Sequence, residues 1–145
     1  MNTPDIDPTI AAILHSSRTI AIVGLSPRPE RDSHHVAQYL QQQGYRIVPV
    51  NPMAAGQPIL GEPCWASLSE AAQHHRIDLV DVFRNSADVP PIAEEAIAIG
   101  APALWLQLGV QHDAAAAQAR AAGLRVVQDH CALVEHQRLR ALGRL

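Results

Sequence analysis

The chain is predicted to fold as an α/β protein: a doubly wound, parallel, five-stranded sheet in a three-layer α/β/α arrangement of Rossmann-like type. Three features predict this. Five short runs rich in β-branched and aliphatic residues recur along 145 residues, each followed by a stretch with helical apolar spacing. The runs are apolar at nearly every position, as in strands covered on both faces, where a half-exposed strand would alternate. The connections between them suit the crossovers that parallel strands require.

The first element is a short amphipathic helix, Pro8 to Ser16, with Ile10, Ile13 and Leu14 on one face, Asp7 as its cap and Pro8 in its first turn. Thr19 to Val23 is the first strand, ending at Gly24. A polar loop from Leu25 to Asp32 leads to Ser33, read as an N-cap, and Val36, Ala37 and Leu40 carry the helix to Gly44. Tyr45 to Val50 returns as the second strand. The crossover is right-handed by rule, which puts the loop after the first strand at the carboxyl edge of the sheet, where ligands of such sheets bind.

Asn51 to Pro63 holds Pro52, Pro58, Pro63, Gly56 and Gly61 and reads as an ordered loop. Ser67 and Glu70 have capping-box spacing before a short helix, Leu68 to His75. Asp78 to Phe83 is the third strand, and Pro90 and Pro91 open a helix faced by Ile92, Ala96, Ile97 and Ile99. Ala103 to Leu108 is the fourth strand, followed by an alanine-rich helix, Ala114 to Ala122, capped by Asp113. Leu124 to Gln128 is the fifth strand, and a last helix runs from about Cys131 to Leu142. There is no internal repeat and no linker, so one domain, 1–145, is expected, with its core in 19–142.

Composition narrows the function. A net charge of -3 gives no general attraction to nucleic acid or to an anionic membrane. No apolar run is long enough to span a bilayer, and Met1 to Asp5 lack the basic start of a signal peptide, so a cytoplasmic protein is expected. Cys64 and Cys131 have no partners at metal-type spacing and imply neither a zinc site nor a disulfide framework. Aromatic residues make up only 3%, so the core must be aliphatic. The oligomeric state is open, a homo-oligomer included.

Candidate site residues should follow the strands: Gly24 to Ser33, Asn51 and Pro52, Phe83 to Asp88, Gln107 to Gly109, and Asp129 to Cys131. A helix start at Ser33 after a glycine turn offers free amide donors and a partial positive charge, and Arg28 and Arg31 stand beside it. A phosphate-bearing ligand fits this. An NAD site would call for Gly-x-Gly-x-x-Gly and an acidic residue after the second strand, whereas Gly24 stands alone and the strand ends in Asn51-Pro52.

The residues Val23-Gly24-Leu25-Ser26-Pro27, Arg31 with Ser33, Gly44-Tyr45, Val48-Pro49-Val50-Asn51-Pro52, Gly56, Ile59-Leu60-Gly61, Val82-Phe83-Arg84, Trp105 to Gly109, and Asp129 with Cys131 together resemble the small stand-alone CoA-binding proteins. That family shares its fold with the nucleotide-binding domain of the succinyl-CoA ligase alpha subunit. The resemblance covers nearly the whole chain, in order, at every strand end. It implies CoA or an acyl-CoA lying across the carboxyl edge, with its diphosphate near Gly24, Leu25, Ser26 and Ser33. It further implies Asn51 and Pro52 at the adenosine 3′-phosphate end and Phe83 and Arg84 at the adenine or phosphate side. His130 stands where the family often has an arginine, which puts a titrating group in place of a permanent cation.

Read residue by residue, Arg84 is the expected anion partner, with Asp88 or Asp81 as its competing salt-bridge partners. Gln107 can hydrogen-bond a ligand amide or bridge loops, and Trp105 belongs to the core. Asp81, inside the third strand, is expected to be hydrogen-bonded or to face an edge. His34 or His35 could assist a phosphate, whereas the pair His74-His75 reads as surface. Cys131, at a helix start, is either packing or a reactive thiol. The sequence is thus read as a CoA-binding module with no reaction of its own, because the related ligases need a second domain bearing a phosphorylated histidine. Two alternatives stay open: a small NAD(P)-dependent oxidoreductase, and a protein using the Cys131 thiol against that of CoA.

Overall fold

The computed structural model describes residues 5–145; the reading of the chain's start as lacking a basic leader rests on Met1 to Pro4, which lie outside the described residues. In chain order the elements are α1 (Asp7–Ser16), β1 (Thr19–Val23), α2 (Asp32–Gln42), β2 (Arg46–Val50), β3 (Pro58–Ile59), β4 (Glu62–Pro63), α3 (Leu68–Ala72), β5 (Leu79–Val82), α4 (Val89–Ala98), β6 (Ala103–Leu106), α5 (Asp113–Ala121), β7 (Arg125–Val127) and α6 (Ala132–Ala141). Five strands form one parallel sheet in the order β2-β1-β5-β6-β7, so the doubly wound α/β architecture is as expected. The loop from Asn51 to Pro63 contains more structure than its prolines suggest: a 3-10 turn over Pro52–Ala54 and the small antiparallel pair β3 and β4.

Strand geometry sends successive side chains to opposite faces, and the two cores follow from that alternation. Ile20, Ile22, Ile47, Leu79 and Trp105 meet Ile10, Ile13 and Leu14 of α1, Val36 and Leu40 of α2, and Leu139 of α6. On the other face, Ala21, Val23, Val48, Val80, Val82, Leu104 and Leu106 meet Leu68 of α3, Ala93 and Ala96 of α4, and Ala115, Ala116 and Ala119 of α5. The alanines let α4 and α5 lie close together, and Trp105 is fully buried as expected. At the β2 rim, Trp65 takes a place beside the strand: its N–H donates to Pro49 O (3.0 Å) and its carbonyl accepts from Asn51 N (2.9 Å).

Three helix starts differ from expectation. α2 begins at Asp32 with Arg31 in the capping position in extended backbone, and the Ser33 hydroxyl caps nothing. α5 is capped by His112, whose Nδ1 accepts from Ala115 N (3.1 Å), and Asp113 is its first helical residue. Asp7 lies inside α1 and instead binds Arg138 Nη1 and Nη2 (3.0 and 2.7 Å) and Arg144 Nη1 (3.1 Å), tying the first helix to the last. The Arg138 hydrogen bonds hold its carboxyl below the usual carboxylate range despite some desolvation. Ser67 does cap α3, accepting from Glu70 N (3.1 Å), but that helix stops at Ala72.

Asp81 corrects a firmer expectation. It sits in the central strand β5, paired with Ile22 and Trp105, fully buried, and neither carboxyl oxygen has a hydrogen-bond partner among the described residues. Burial pushes its pKa well above the ordinary value, offset only in part by the nearby Val82 amide. The folded chain therefore holds a proton here that the unfolded chain releases. Stability from this site is greatest below the unfolded carboxylate pKa of about 3.9 and falls as pH rises toward the folded value. Asp81→Asn should accordingly gain about 1–3 kcal/mol over the native chain near neutral pH and much less near about pH 4. Urea denaturation across that range measures it; parallel pH profiles for the two proteins would show the carboxyl to be ionised in the fold.

Candidate functional site

The chain runs from β1 to β2 on one side of the sheet and then crosses to β5 on the other, so the carboxyl ends of β1 and β5 form the topological switch point. The ladder there is carried one step past the strands: Gly24 N donates to Val50 O and Phe83 N to Val23 O, each at 2.8 Å. Gly24 has φ +87°, and a Cβ at this position would lie 2.3 Å from the Phe83 carbonyl oxygen. Only glycine fits both conditions.

Beyond Gly24 the loop is pinned at several points. Leu25 is buried in the core, and its carbonyl accepts from Asn51 Nδ2 (3.0 Å), while Asn51 Oδ1 accepts from Met53 N (2.9 Å). Ser26 N donates to Ser33 Oγ (3.0 Å), the Ser26 carbonyl accepts from His34 Nδ1 (3.0 Å), and Ser26 Oγ accepts from Arg28 N (3.1 Å). The hydroxyl read as a helix cap is therefore a clamp between the loop and α2. In that first turn His34 N and His35 N both return to Arg31 O, which leaves the Asp32 and Ser33 amides outside the helical ladder, as at any α-helix start.

The loop, the first turn of α2 and the segments after β5, β6 and β7 enclose an open crevice of about 1040 Å³. That is at the upper end of the range for small-molecule sites. Of the residues expected at the site, Gly24, Ser26, Arg28, Arg31, Ser33, Phe83, Arg84 and Gln107 line it. Leu25, Asn51, Pro52, Gly109 and His130 do not; Leu25 and Asn51 brace the loop from behind, and His130 binds Gln128 O through Nδ1 (2.6 Å) and faces Glu135 (3.9 Å). Of the two first-turn histidines, His35 reaches the crevice and His34 serves the loop.

The cations stand on one side. Arg31 makes no ion pair among the described residues, and Arg28 meets Glu30 (3.2 Å) in a largely exposed pair, which contributes little. Arg84 meets Asp88 (3.6 Å), one of its two candidate partners, in a half-exposed pair loose enough to leave guanidinium donors for an anion.

The opposite side is built by ties between the β6 and β7 loops. Trp105 Nε1 donates to His130 O (2.8 Å), and Gly109 N donates to Asp129 Oδ1 (2.7 Å), with Asp129 at φ +58°. Ala132 N donates to Gln107 Oε1 (3.1 Å), so Gln107 does bridge loops. Cys131 stands at the capping position of α6 without a side-chain cap hydrogen bond and lines the crevice half-buried, beside Leu108, Leu133 and Val134. Leu108 and Cys131 fall within the expected segments, whereas Leu133 and Val134 escape a sequence reading because they lie in a helix, where such residues read as core.

A doubly wound parallel sheet with a crevice at its switch point, lined by hydroxyl and arginine side chains, defines a Rossmann-like α/β protein. Known proteins agree with this class. The family model described as CoA binding domain matches residues 18–137. The uncharacterized protein YneT of Bacillus subtilis (strain 168) is 41% identical over 127 residues, covering 88% of this chain and 91% of its own. Among solved structures, cell-free ID.343 from Thermus thermophilus superimposes with a TM-score of 0.86 at 37% identity, over 96% of this chain and 99% of that one. A hypothetical protein from Pyrococcus horikoshii OT3 does so with a TM-score of 0.87 at 35% identity, over 97% and 99%. The chain belongs to the CoA-binding domain family. At the level of fold alone it is also similar to RSP, a Rex-family repressor solved in complex with β-NADH, with a TM-score of 0.58 at 15% identity over 90% of this chain and 62% of that one.

Gly24→Ala should lower stability by about 2–4 kcal/mol, since it combines steric overlap with a strained φ, and should loosen the Ser26 to Ser33 clamp. Chemical denaturation gives the first effect and amide hydrogen exchange of the loop the second. A protein as stable and as protected as the native chain would mean the β1 and β5 ends separate without cost.

Proposed function

We propose that this protein binds CoA in the crevice at the carboxyl edge, as a binding module with no reaction of its own. The observation that carries the reading is the clamped Gly24 to Ser33 loop, which presents the α2 start together with Arg31 and Arg84 to one space. The diphosphate would lie against Ser26 and the α2 amides, with Arg84 as a second anion partner. The 3′-phosphate would lie toward the end of β2, without a contact from the Asn51 side chain, whose atoms are taken by the loop. Membership of the CoA-binding domain family supports this choice of ligand.

The competing redox reading needs a group after β2 that grips the ribose hydroxyls of NAD. Asn51 stands there, with both side-chain atoms engaged by Leu25 O and Met53 N, which argues against it. Titration calorimetry with CoA, dephospho-CoA and NAD separates the readings: CoA should bind most tightly and dephospho-CoA less so. Tight NAD binding without any CoA heat would reverse the assignment.

Arg84→Ala should weaken CoA by about 1.5–3 kcal/mol, the scale of a lost charge-assisted hydrogen bond; an unchanged Kd would make Arg84 a bystander. The thiol reading draws support from Cys131 lying in the crevice wall. Under the binding reading Cys131→Ala leaves CoA affinity as it is and removes only the capacity for a mixed disulfide, and a collapse of affinity would give the thiol a direct part in binding.

A further inference from the structure

The crevice has two chemically different ends. Its charged lining is all on the β1, α2 and β5 side, where Arg28, Arg31 and Arg84 outnumber Glu30 and Asp32, whereas the lining residues contributed after β6 and from the α6 start are Gln107, Leu108, Val110, Cys131, Leu133 and Val134, none of them charged. Leu108 and Val134 are 71% and 53% exposed and belong to a small set of large apolar side chains left open to water among the described residues. Their clustering on one wall of the crevice marks a surface to be covered.

Between the two ends stands Gln107, only 4% exposed. Its Oε1 is taken by the Ala132 amide, which fixes the orientation of the group, and its Nε2 has no protein partner among the described residues. The enclosed unpaired side-chain atoms among the described residues are those of Trp65 and Asp81, so Gln107 Nε2 opens to the crevice as a donor whose orientation is fixed from its other end.

We propose that the physiological ligand is an acyl thioester of CoA with a short, uncharged aliphatic chain: Gln107 Nε2 donates to the thioester carbonyl, and Leu108, Leu133 and Val134 cover the chain. This rests on the CoA reading given above, which places the phosphates at the basic end. Strands lie about 4.8 Å apart, so β6 and β7 stand roughly 10 and 14 Å from β1, within the span of an extended pantetheine arm. A free thiol is a poor acceptor for an amide N–H, and an acyl group ending in a carboxylate would find no cation at this end.

The test is titration calorimetry with CoA, butyryl-CoA and succinyl-CoA on the native chain, on Gln107→Glu and on Val134→Ser. Glutamate keeps an oxygen for Ala132 and puts a second acceptor where the donor was. The native chain should bind butyryl-CoA about tenfold more tightly than CoA, from one hydrogen bond and a few covered methylenes, and succinyl-CoA more weakly than butyryl-CoA. Gln107→Glu should weaken butyryl-CoA about tenfold more than it weakens CoA, erasing the preference for the thioester, and Val134→Ser should reduce the gain from the acyl chain alone. Equal affinity of the native chain for CoA and butyryl-CoA overturns the proposal. So does an equal loss of both ligands in Gln107→Glu, which would place the amide on a pantetheine carbonyl. Absence of heat with all three ligands would instead remove the underlying CoA reading.

Discussion

The structure turns on one close approach, that of the Gly24 backbone to the Phe83 carbonyl at the point where the winding of the sheet reverses. Two ladder hydrogen bonds, to Val50 and Val23, draw the ends of β2, β1 and β5 together there. With no side chain between them, the strands can hold this spacing while the loop above turns toward α2. A glycine here is less a means of flexibility than a means of proximity. The loop it releases is fastened by Ser26, Ser33, His34 and Asn51, so the amide-rich helix start is held in place before any ligand arrives. Preorganisation of that kind reduces the ordering cost of binding.

The other half of the crevice reaches the same end through side chains. Asp129, His130 and Gln107 bind across the β6 and β7 loops, and Trp105, the largest fully buried side chain, sends its one polar atom to the His130 carbonyl. The two halves thus differ in how they are made rigid: backbone contact at the glycine turn on one side, a polar lattice on the other. That difference explains why the first is rich in free donors and the second is apolar apart from a single amide.

Much of this was legible in the sequence. Continuous β-branched runs such as Thr19 to Val23, each leading into a stretch of helical spacing, are enough to specify a buried parallel sheet, and the sheet specifies which edge carries the site. What eluded the reading depends on neighbours distant in sequence. Ser33 has the chemistry of a cap, but the helix starts two residues earlier, with Arg31 in the capping position, and the hydroxyl finds Ser26 instead. His112, a weaker capping residue by propensity, caps α5 because its ring nitrogen is in position, while Asp113 falls inside the helix. Asn51 could have pointed at a ligand or at the loop; the Leu25 carbonyl decides it. Asp81 breaks the rule that a buried carboxyl finds a partner, and no local pattern signals that exception.

The rims of the sheet carry a consequence of their own. An unpaired strand edge is a template on which a second chain can add hydrogen bonds, and aggregation often begins there. At β2 the Trp65 segment already occupies donors and acceptors of the rim, and Pro49 has no N–H to offer. At β7 the strand is only three residues long and begins with an exposed arginine. Growth of the sheet across molecules is obstructed at one rim and given little purchase at the other, so this chain offers a poor template for edge-to-edge addition of strands.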